Sequence, residues 1–145
     1  MNTMQILLVV IVSFIIGCSS VNDQIETYQP VIACSLIGLV TGNLELGIML
    51  GGSLQLITMG WANVGAAMAP DASLAAVASA IILIQGGQGT NGIGSAIALA
   101  VPLAVAGLGL TMIVRTATVF IAHAMDSRAE AADIAGIERW HMIGM

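Results

Sequence analysis

Charged residues are scarce in this sequence, and lysine is missing altogether. The 145 residues include three arginines against eight acidic residues, and charged residues make up 8% of the chain. With so few cations, the chain has nothing that could neutralise a row of phosphates, which excludes a nucleic-acid-binding protein. A soluble domain normally carries about a quarter charged residues, so the scarcity of both signs indicates a membrane protein.

Catalytic and metal-binding patterns are also lacking. The sequence has no phosphate-binding loop, no G-x-S-x-G motif and no pair of carboxylates at catalytic spacing. Its two histidines, His123 and His141, have no Cys or carboxylate partners at zinc-ligand spacing. We therefore predict no catalytic residues, no cofactor and no metal site, and a protein that is not itself an enzyme.

What the sequence does have is a series of apolar runs separated by glycine-rich breaks. Hydrophobic residues make up 58% of the chain, and 17 glycines are present. The runs cover residues 4–17, 31–41, 44–60, 73–85 and 93–125. The last is long enough to cross a bilayer comfortably, whereas the others fall short of the roughly 20 residues that a span needs. This pattern predicts an all-α integral membrane protein in which transmembrane helices pack with short broken or re-entrant half-helices.

The character of the chain changes after residue 125. We predict a membrane-embedded domain over residues 1–125 and an amphipathic segment at the cytoplasmic interface over residues 126–145. The arginines, Arg115, Arg128 and Arg139, all lie near or beyond the end of the longest run. The positive-inside rule places that end in the cytoplasm.

A break within residues 51–75 carries the candidate binding residues, Gln55, Trp61, Asn63 and Asp71. A break at membrane depth is tolerated where the freed backbone lines a cavity or is buried in protein, so the stretch predicts a site for a polar solute. Each residue also has a structural interpretation. Asp71 is either a helix N-cap alone or a cap that also binds the solute. Gln55 could form interhelical hydrogen bonds and Trp61 could be an interface anchor, or both could line a sugar site with Asn63.

Three stretches resemble the IIC membrane component of the mannose–fructose–sorbose class of sugar phosphotransferase systems. They are residues 29–38 (QPVIACSLIG), 51–75 (GGSLQLITMGWANVGAAMAPDASLA) and 96–116 (AIALAVPLAVAGLGLTMIVRT). The resemblance implies a multi-pass subunit in the bacterial cytoplasmic membrane that binds and translocates a hexose such as mannose or glucose. It also implies an IID membrane partner and cytoplasmic IIA and IIB proteins, which carry the phosphoryl group.

By position within the second stretch, the resemblance implies sugar contacts from Gln55, Trp61, Asn63 and Asp71. Position 55 is often a glutamate in the family, and the glutamine here leaves the preferred hexose open. The resemblance covers the N-terminal half of a typical IIC protein, so we expect either a shortened gene or a fragment that leads to an absent second half. The alternatives to hexose transport are a transport-incompetent module that only associates with IID or another partner, and a general small-solute channel.

Overall fold

Helices form the regular structure of the chain in the computed structural model, which describes residues 2–22, 26–61, 64 and 68–144. Those residues contain six α-helices and one short 3₁₀ helix. They are α1 (Thr3–Asn22), α2 (Pro30–Thr41), α3 (Leu44–Thr58), α4 (Ala72–Gly86), the 3₁₀ helix Gly89–Gly92, α5 (Ile93–Glu130) and α6 (Ile134–Gly144). The contacts divide the chain into a unit of Met1–Leu108 and a unit of Gly109–Met145, and α5 runs from one into the other.

The predicted runs correspond to helices, with two differences in length. The first helix continues beyond residue 17 to Asn22, and the Ser19 hydroxyl is satisfied within it by donating to the Ile16 carbonyl at 2.9 Å. The last long helix passes residue 125 and ends at Glu130. At about 1.5 Å per residue, α2, α3 and α4 are each roughly 18–22 Å long, short of the roughly 30 Å hydrocarbon core. Within the described residues, one helical stretch, Gly89–Glu130, is long and apolar enough to cross a membrane.

A tight turn joins α2 to α3. Gly42 has a φ of +78°, a left-handed conformation that glycine adopts without steric cost. Its N–H donates to the Leu39 carbonyl at 3.2 Å, and the Asn43 N–H donates to the Gly38 carbonyl at 2.7 Å. This pair of bonds is the Schellman ending of a helix, which satisfies the last carbonyls of α2. The break between the apolar runs 31–41 and 44–60 is therefore a turn of two residues.

The two helices of this hairpin meet along a seam of small residues. Gly47 of α3 faces Cys34 and Gly38 of α2, and Gly51 faces the start of α2 at Pro30. A Cβ on Gly51 would lie 2.8 Å from the Pro30 carbonyl oxygen, and a Cβ on Gly47 would lie 3.1 Å from the Gly38 Cα and collide with the Cys34 carbonyl oxygen. Small residues spaced by four allow helix backbones to approach this closely in membranes.

The core of the first unit continues this use of small side chains. Cys34 of α2 is fully buried, and its thiol donates to the Ala76 carbonyl of α4 at 3.5 Å. The buried residues of α5 recur at helical spacing and are all alanine or glycine: Ala96, Ala100, Ala104 and Gly107. The largest fully buried side chains of this core are Ile16, Ile37, Leu50 and Leu54. The helices of this unit therefore pack by close approach of their backbones more than by interdigitation of large side chains.

In the second unit, a short turn ends α5 and starts α6. Ala132 has a φ of +55°, and the Asp133 N–H donates to the Arg128 carbonyl at 3.0 Å. The Asp133 carboxylate then accepts from the Gly136 N–H at 3.0 Å and from the Arg128 guanidinium at 3.2 Å. Residues 126–144 are thus the last turn of α5, this turn and α6. Their position at a membrane surface stays a prediction.

The seam generates a stability prediction with a matched control on the same helix. We expect Gly47→Ala to destabilise the protein by about 1–3 kcal/mol, because the new methyl group meets backbone atoms that cannot move away independently. Gly52, five residues further along α3, has no atom within 4 Å of the position of a Cβ. Gly52→Ala is expected to be neutral or to stabilise by up to about 1 kcal/mol. The thermal unfolding midpoints of both variants in detergent, compared with the unsubstituted chain, measure the difference, and equal midpoints for the two would contradict the seam.

Candidate functional site

Asp71 forms the N-cap of α4, as predicted. It follows Pro70, and its backbone is extended, with φ −74° and ψ 104°. Its Oδ1 atom accepts hydrogen bonds from the backbone N–H groups of Ser73 at 3.0 Å and Leu74 at 3.1 Å. The Ser73 hydroxyl donates to the same oxygen. Two of the N–H groups that a helix start leaves unpaired are thereby satisfied.

The cap uses one of the two carboxylate oxygens of Asp71. All the hydrogen bonds that Asp71 accepts through its side chain from described residues go to Oδ1. Oδ2 accepts none from the described part of the chain, and Asp71 is only partly buried. A carboxylate oxygen offers two lone pairs, so Oδ2 has the capacity to accept from the hydroxyls of a ligand.

The start of α4 is held against α5. The backbone N–H of Asp71 donates to the Ala104 carbonyl at 3.2 Å. Gly107, one turn later on α5, gives room to the same region: a Cβ there would lie 2.6 Å from Leu74 Cδ2 and 3.3 Å from Asp71 Cβ. The backbone of the longest helix therefore sets the position of the Asp71 carboxylate.

Gln55 lies on α3 and reaches the start of α2. Its side-chain nitrogen donates to Gln29 Oε1 at 2.7 Å, and its side-chain oxygen accepts from the Val31 N–H at 3.4 Å. These are interhelical hydrogen bonds, one of the two interpretations that the sequence left open. They leave one N–H and one lone pair of the amide for a ligand.

The other two candidate residues have different surroundings. Trp61 is half-buried and packs against the hydrophobic core of the first unit, and its backbone N–H donates to the Thr58 carbonyl at 2.8 Å. Asn63 lies outside the described residues. Gln55 and Asp71 share no hydrogen bond, since the first binds the start of α2 and the second binds its own helix and α5.

Sequence reasoning missed Gln29, which contacts Gln55, and Glu26, which contacts Gln29. Gln29 accepts from Gln55 and donates to the Glu26 carboxylate at 3.0 Å. The signal that could have found Gln29 is its position directly before Pro30, since a proline in the first turn marks where a helix begins. Among the described residues, no group of three or more His, Cys, Asp or Glu side chains is placed to hold a metal ion.

The architecture and the candidate residues define a helical membrane protein with polar side chains at the starts of short helices. Comparison with known proteins gives the family. The family model described as "PTS system sorbose-specific iic component" matches residues 3–145. The chain belongs to this family, the IIC components of sorbose- and mannose-type sugar phosphotransferase systems, which are transport subunits.

Named relatives cover the whole of this chain. It is 50% identical over 145 residues to the fructose permease IIC component of Bacillus subtilis (strain 168), covering 100% of this chain and 53% of the relative. It is 48% identical over 141 residues to the mannose-specific EIIC component of Escherichia coli (strain K12), covering 97% of this chain and 52% of that protein. The chain thus spans about half the length of the curated relatives it matches.

A solved structure supports the fold. The chain superimposes on a chain of the cryo-electron microscopy structure of the mannose transporter ManYZ in complex with microcin E492, with a TM-score of 0.87 and 46% identity. The alignment covers 99% of this chain and 57% of that one. The all-α membrane fold predicted from the sequence is therefore confirmed.

The cap at Asp71 predicts the effect of two substitutions on stability. We expect Asp71→Ala to destabilise the protein by about 1 kcal/mol, because Ser73 and Leu74 lose the acceptor of their N–H groups. Asp71→Asn keeps an oxygen that can accept the same bonds and should unfold close to the unsubstituted chain. Thermal unfolding in detergent distinguishes the two, and an equal loss of stability in both variants would contradict a role for Oδ1 as the cap.

Proposed function

We propose that this chain is the hexose-binding part of the membrane subunit of a phosphoenolpyruvate-dependent sugar phosphotransferase system. In this role it binds a hexose, carries it across the bacterial cytoplasmic membrane and presents it for phosphorylation by the IIB partner. Family membership supports the class of function. The relatives described above are named as a fructose permease component and a mannose-specific component, and a further relative from Klebsiella pneumoniae is named as sorbose-specific. All three sugars are hexoses.

The divided use of the Asp71 carboxylate is the observation that carries the proposal. One oxygen anchors α4 and is already saturated with donors, while the second has no hydrogen-bond donor among the described residues. A sugar hydroxyl that donates to this oxygen forms a charge-assisted hydrogen bond, which is stronger than a neutral one. In this proposal Gln55, Trp61 and Asn63 supply further contacts, with the indole stacking on an apolar face of the sugar ring.

The proposed surroundings of the site follow from the lengths of the helices. In this proposal residues 1–125 form a multi-pass membrane domain, and α5 is the helix long enough to cross the bilayer alone among the described residues. The shorter α2, α3 and α4 lie within it as half-helices, and residues 126–145 lie at the cytoplasmic interface. Discontinuous helices whose N-termini meet the substrate near the midplane are a recurring device of transporters.

The proposal includes partner proteins. We propose that the chain assembles with an IID membrane subunit and that IIA and IIB carry the phosphoryl group, so no residue of this chain is phosphorylated. Support for a partnered state comes from the family, since its members are named as components of phosphotransferase systems. Binding, change of access and presentation of the sugar are then the contributions of this chain.

Asp71 variants test the proposal in cells that express the chain from its own gene together with IIA, IIB and IID. We expect Asp71→Asn and Asp71→Ser to lower the efficiency of hexose uptake about 10- to 100-fold, because each keeps a capping oxygen but loses the second carboxylate oxygen. The measurement is accumulation of radiolabelled hexose phosphate, with thermal unfolding of the same variants to show that the cap is intact.

Asp126→Asn serves as the control, since Asp126 is exposed and lies in the C-terminal part of α5. Its Oδ2 atom is 4.0 Å from Nδ1 of His123. Its uptake should equal that of the unsubstituted chain. Uptake by Asp71→Asn at the unsubstituted level would reduce Asp71 to a structural cap. A chain that co-purifies with IID yet accumulates no hexose phosphate would overturn the transport function, and accumulation of free hexose would indicate a channel instead.

A further inference from the structure

The segment that leads into α2 is a hydrogen-bonded turn from Glu26 to Gln29. Glu26 has a φ of +58°, an uncommon conformation for a residue with a side chain. The Gln29 N–H donates back to the Glu26 carbonyl at 2.9 Å, which closes the turn. Gln29 itself is extended, with φ −59° and ψ 134°, as expected for a residue before proline. Two backbone constraints thus place Gln29 next to α3.

A continuous series of hydrogen bonds, the relay, joins Glu26, Gln29, Gln55 and the Val31 N–H. The Gln29 side-chain nitrogen donates to the Glu26 carboxylate at 3.0 Å. The Gln55 side-chain nitrogen donates to Gln29 Oε1 at 2.7 Å, and the Val31 N–H donates to Gln55 Oε1 at 3.4 Å. Pro30 has no N–H, so Val31 offers the first free donor at the start of α2.

The groups at the two ends of this relay fix which atom of each amide donates and which accepts. The Glu26 carboxylate accepts from the Gln29 side-chain nitrogen, so the Gln29 oxygen is left to face Gln55 on α3. That oxygen requires the nitrogen of Gln55, whose own oxygen then faces the Val31 N–H, a group that can only donate. Glu26 and Val31 therefore select the same one of the two orientations that a glutamine amide can take.

We propose that Glu26 and Gln29 are positioning residues that fix the orientation of the Gln55 amide and so determine which hexoses are bound. This inference rests on the proposed function, because Gln55 is taken as a sugar contact. With the relay in place, Gln55 presents one N–H and one lone pair in fixed directions. Hexoses differ in where their hydroxyls point, so a fixed pattern of donor and acceptor selects among them. A flipped amide exchanges the two and presents the wrong pattern.

The test compares two replacements of Gln29 that have opposite hydrogen-bonding character. The ammonium group introduced by Gln29→Lys can only donate, so Gln55 must turn its oxygen toward it and its nitrogen toward the Val31 N–H. The same ammonium group can pair with Glu26, so the turn keeps a favourable contact. The double variant Gln29→Glu with Glu26→Gln places an acceptor beside Gln55 and a donor at position 26, which preserves the original direction.

We expect Gln29→Lys to raise the apparent KM for hexose uptake about 10-fold, with a smaller change in maximal rate, because a hydrogen bond to the bound sugar is lost. Its relative uptake of mannose, glucose and fructose should also change. The double variant should stay within about twofold of the unsubstituted chain. The assay is accumulation of each radiolabelled hexose phosphate in the cells described above, with thermal unfolding midpoints for every variant.

A purely structural role for the relay predicts a different result, in which uptake follows the unfolding midpoint and the preference among hexoses is unchanged. That result, or unsubstituted KM and preference in Gln29→Lys, would overturn the proposal. Equal impairment of the double variant would also overturn it. Gln55→Ala and Asp71→Asn test the sugar site separately from the relay. If both impair uptake while Gln29→Lys does not, the sugar site stands and the relay fails. If the unsubstituted chain accumulates no hexose phosphate, the proposed function fails and the relay fails with it.

Discussion

A polar group without a partner in an apolar surrounding costs several kcal/mol, and this cost governs most of the structure. Many hydroxyls of the apolar helices donate to a carbonyl of their own helix: Ser35 to Val31, Thr41 to Ile37, Ser53 to Met49 and Thr116 to Met112. The ends of helices cannot be satisfied in this way. They need caps, and at the starts of α2 and α4 those caps come from the candidate residues Gln55 and Asp71.

The caps of α2 and α4 solve this problem differently. At α4, Asp71 accepts from N–H groups two and three residues later in the same helix, and the capping contacts remain local. At α2, the acceptor comes from Gln55 on another helix, because Gln29 before the proline makes no side-chain cap bond to its own helix. A cap supplied from a second helix depends on how the two helices pack. The glycine seam between α2 and α3 is what brings Gln55 within reach.

Local signals explain why much of the helical pattern could be predicted from the sequence. The turn at Gly42 and the cap at Asp71 depend on single residues whose backbone or side-chain chemistry acts over three or four positions. The extension of α1 past residue 17 was not predicted, because the polar residue Ser19 suggested the end of the apolar run. Its hydroxyl is satisfied inside the helix. The continuation of α5 to Glu130 was missed because a charged helical turn resembles the start of a surface segment.

The candidate site also combines features that local sequence signals predict with features that depend on packing. The role of Asp71 as a cap followed from its position after Pro70 and before an apolar run. That its Oδ2 accepts no hydrogen bond from the described residues depends on where three donors converge on Oδ1. The candidate sugar contacts came from the break within residues 51–75 and from the family resemblance. Gln29 and Glu26 were missed because their link to Gln55 joins residues 26 positions apart, and a contact of that range is decided by packing.

The hairpin of α2 and α3 also bears on how the chain is made. Its helices are joined by the two residues Gly42 and Asn43, so closing the loop between them carries a small entropic cost. Contacts between neighbours in sequence form sooner than distant ones. Neither helix is long enough to cross a bilayer alone. During synthesis the pair is therefore expected to associate soon after both helices have emerged and to enter the membrane as one folded element, before α4 and α5 are available to pack against it.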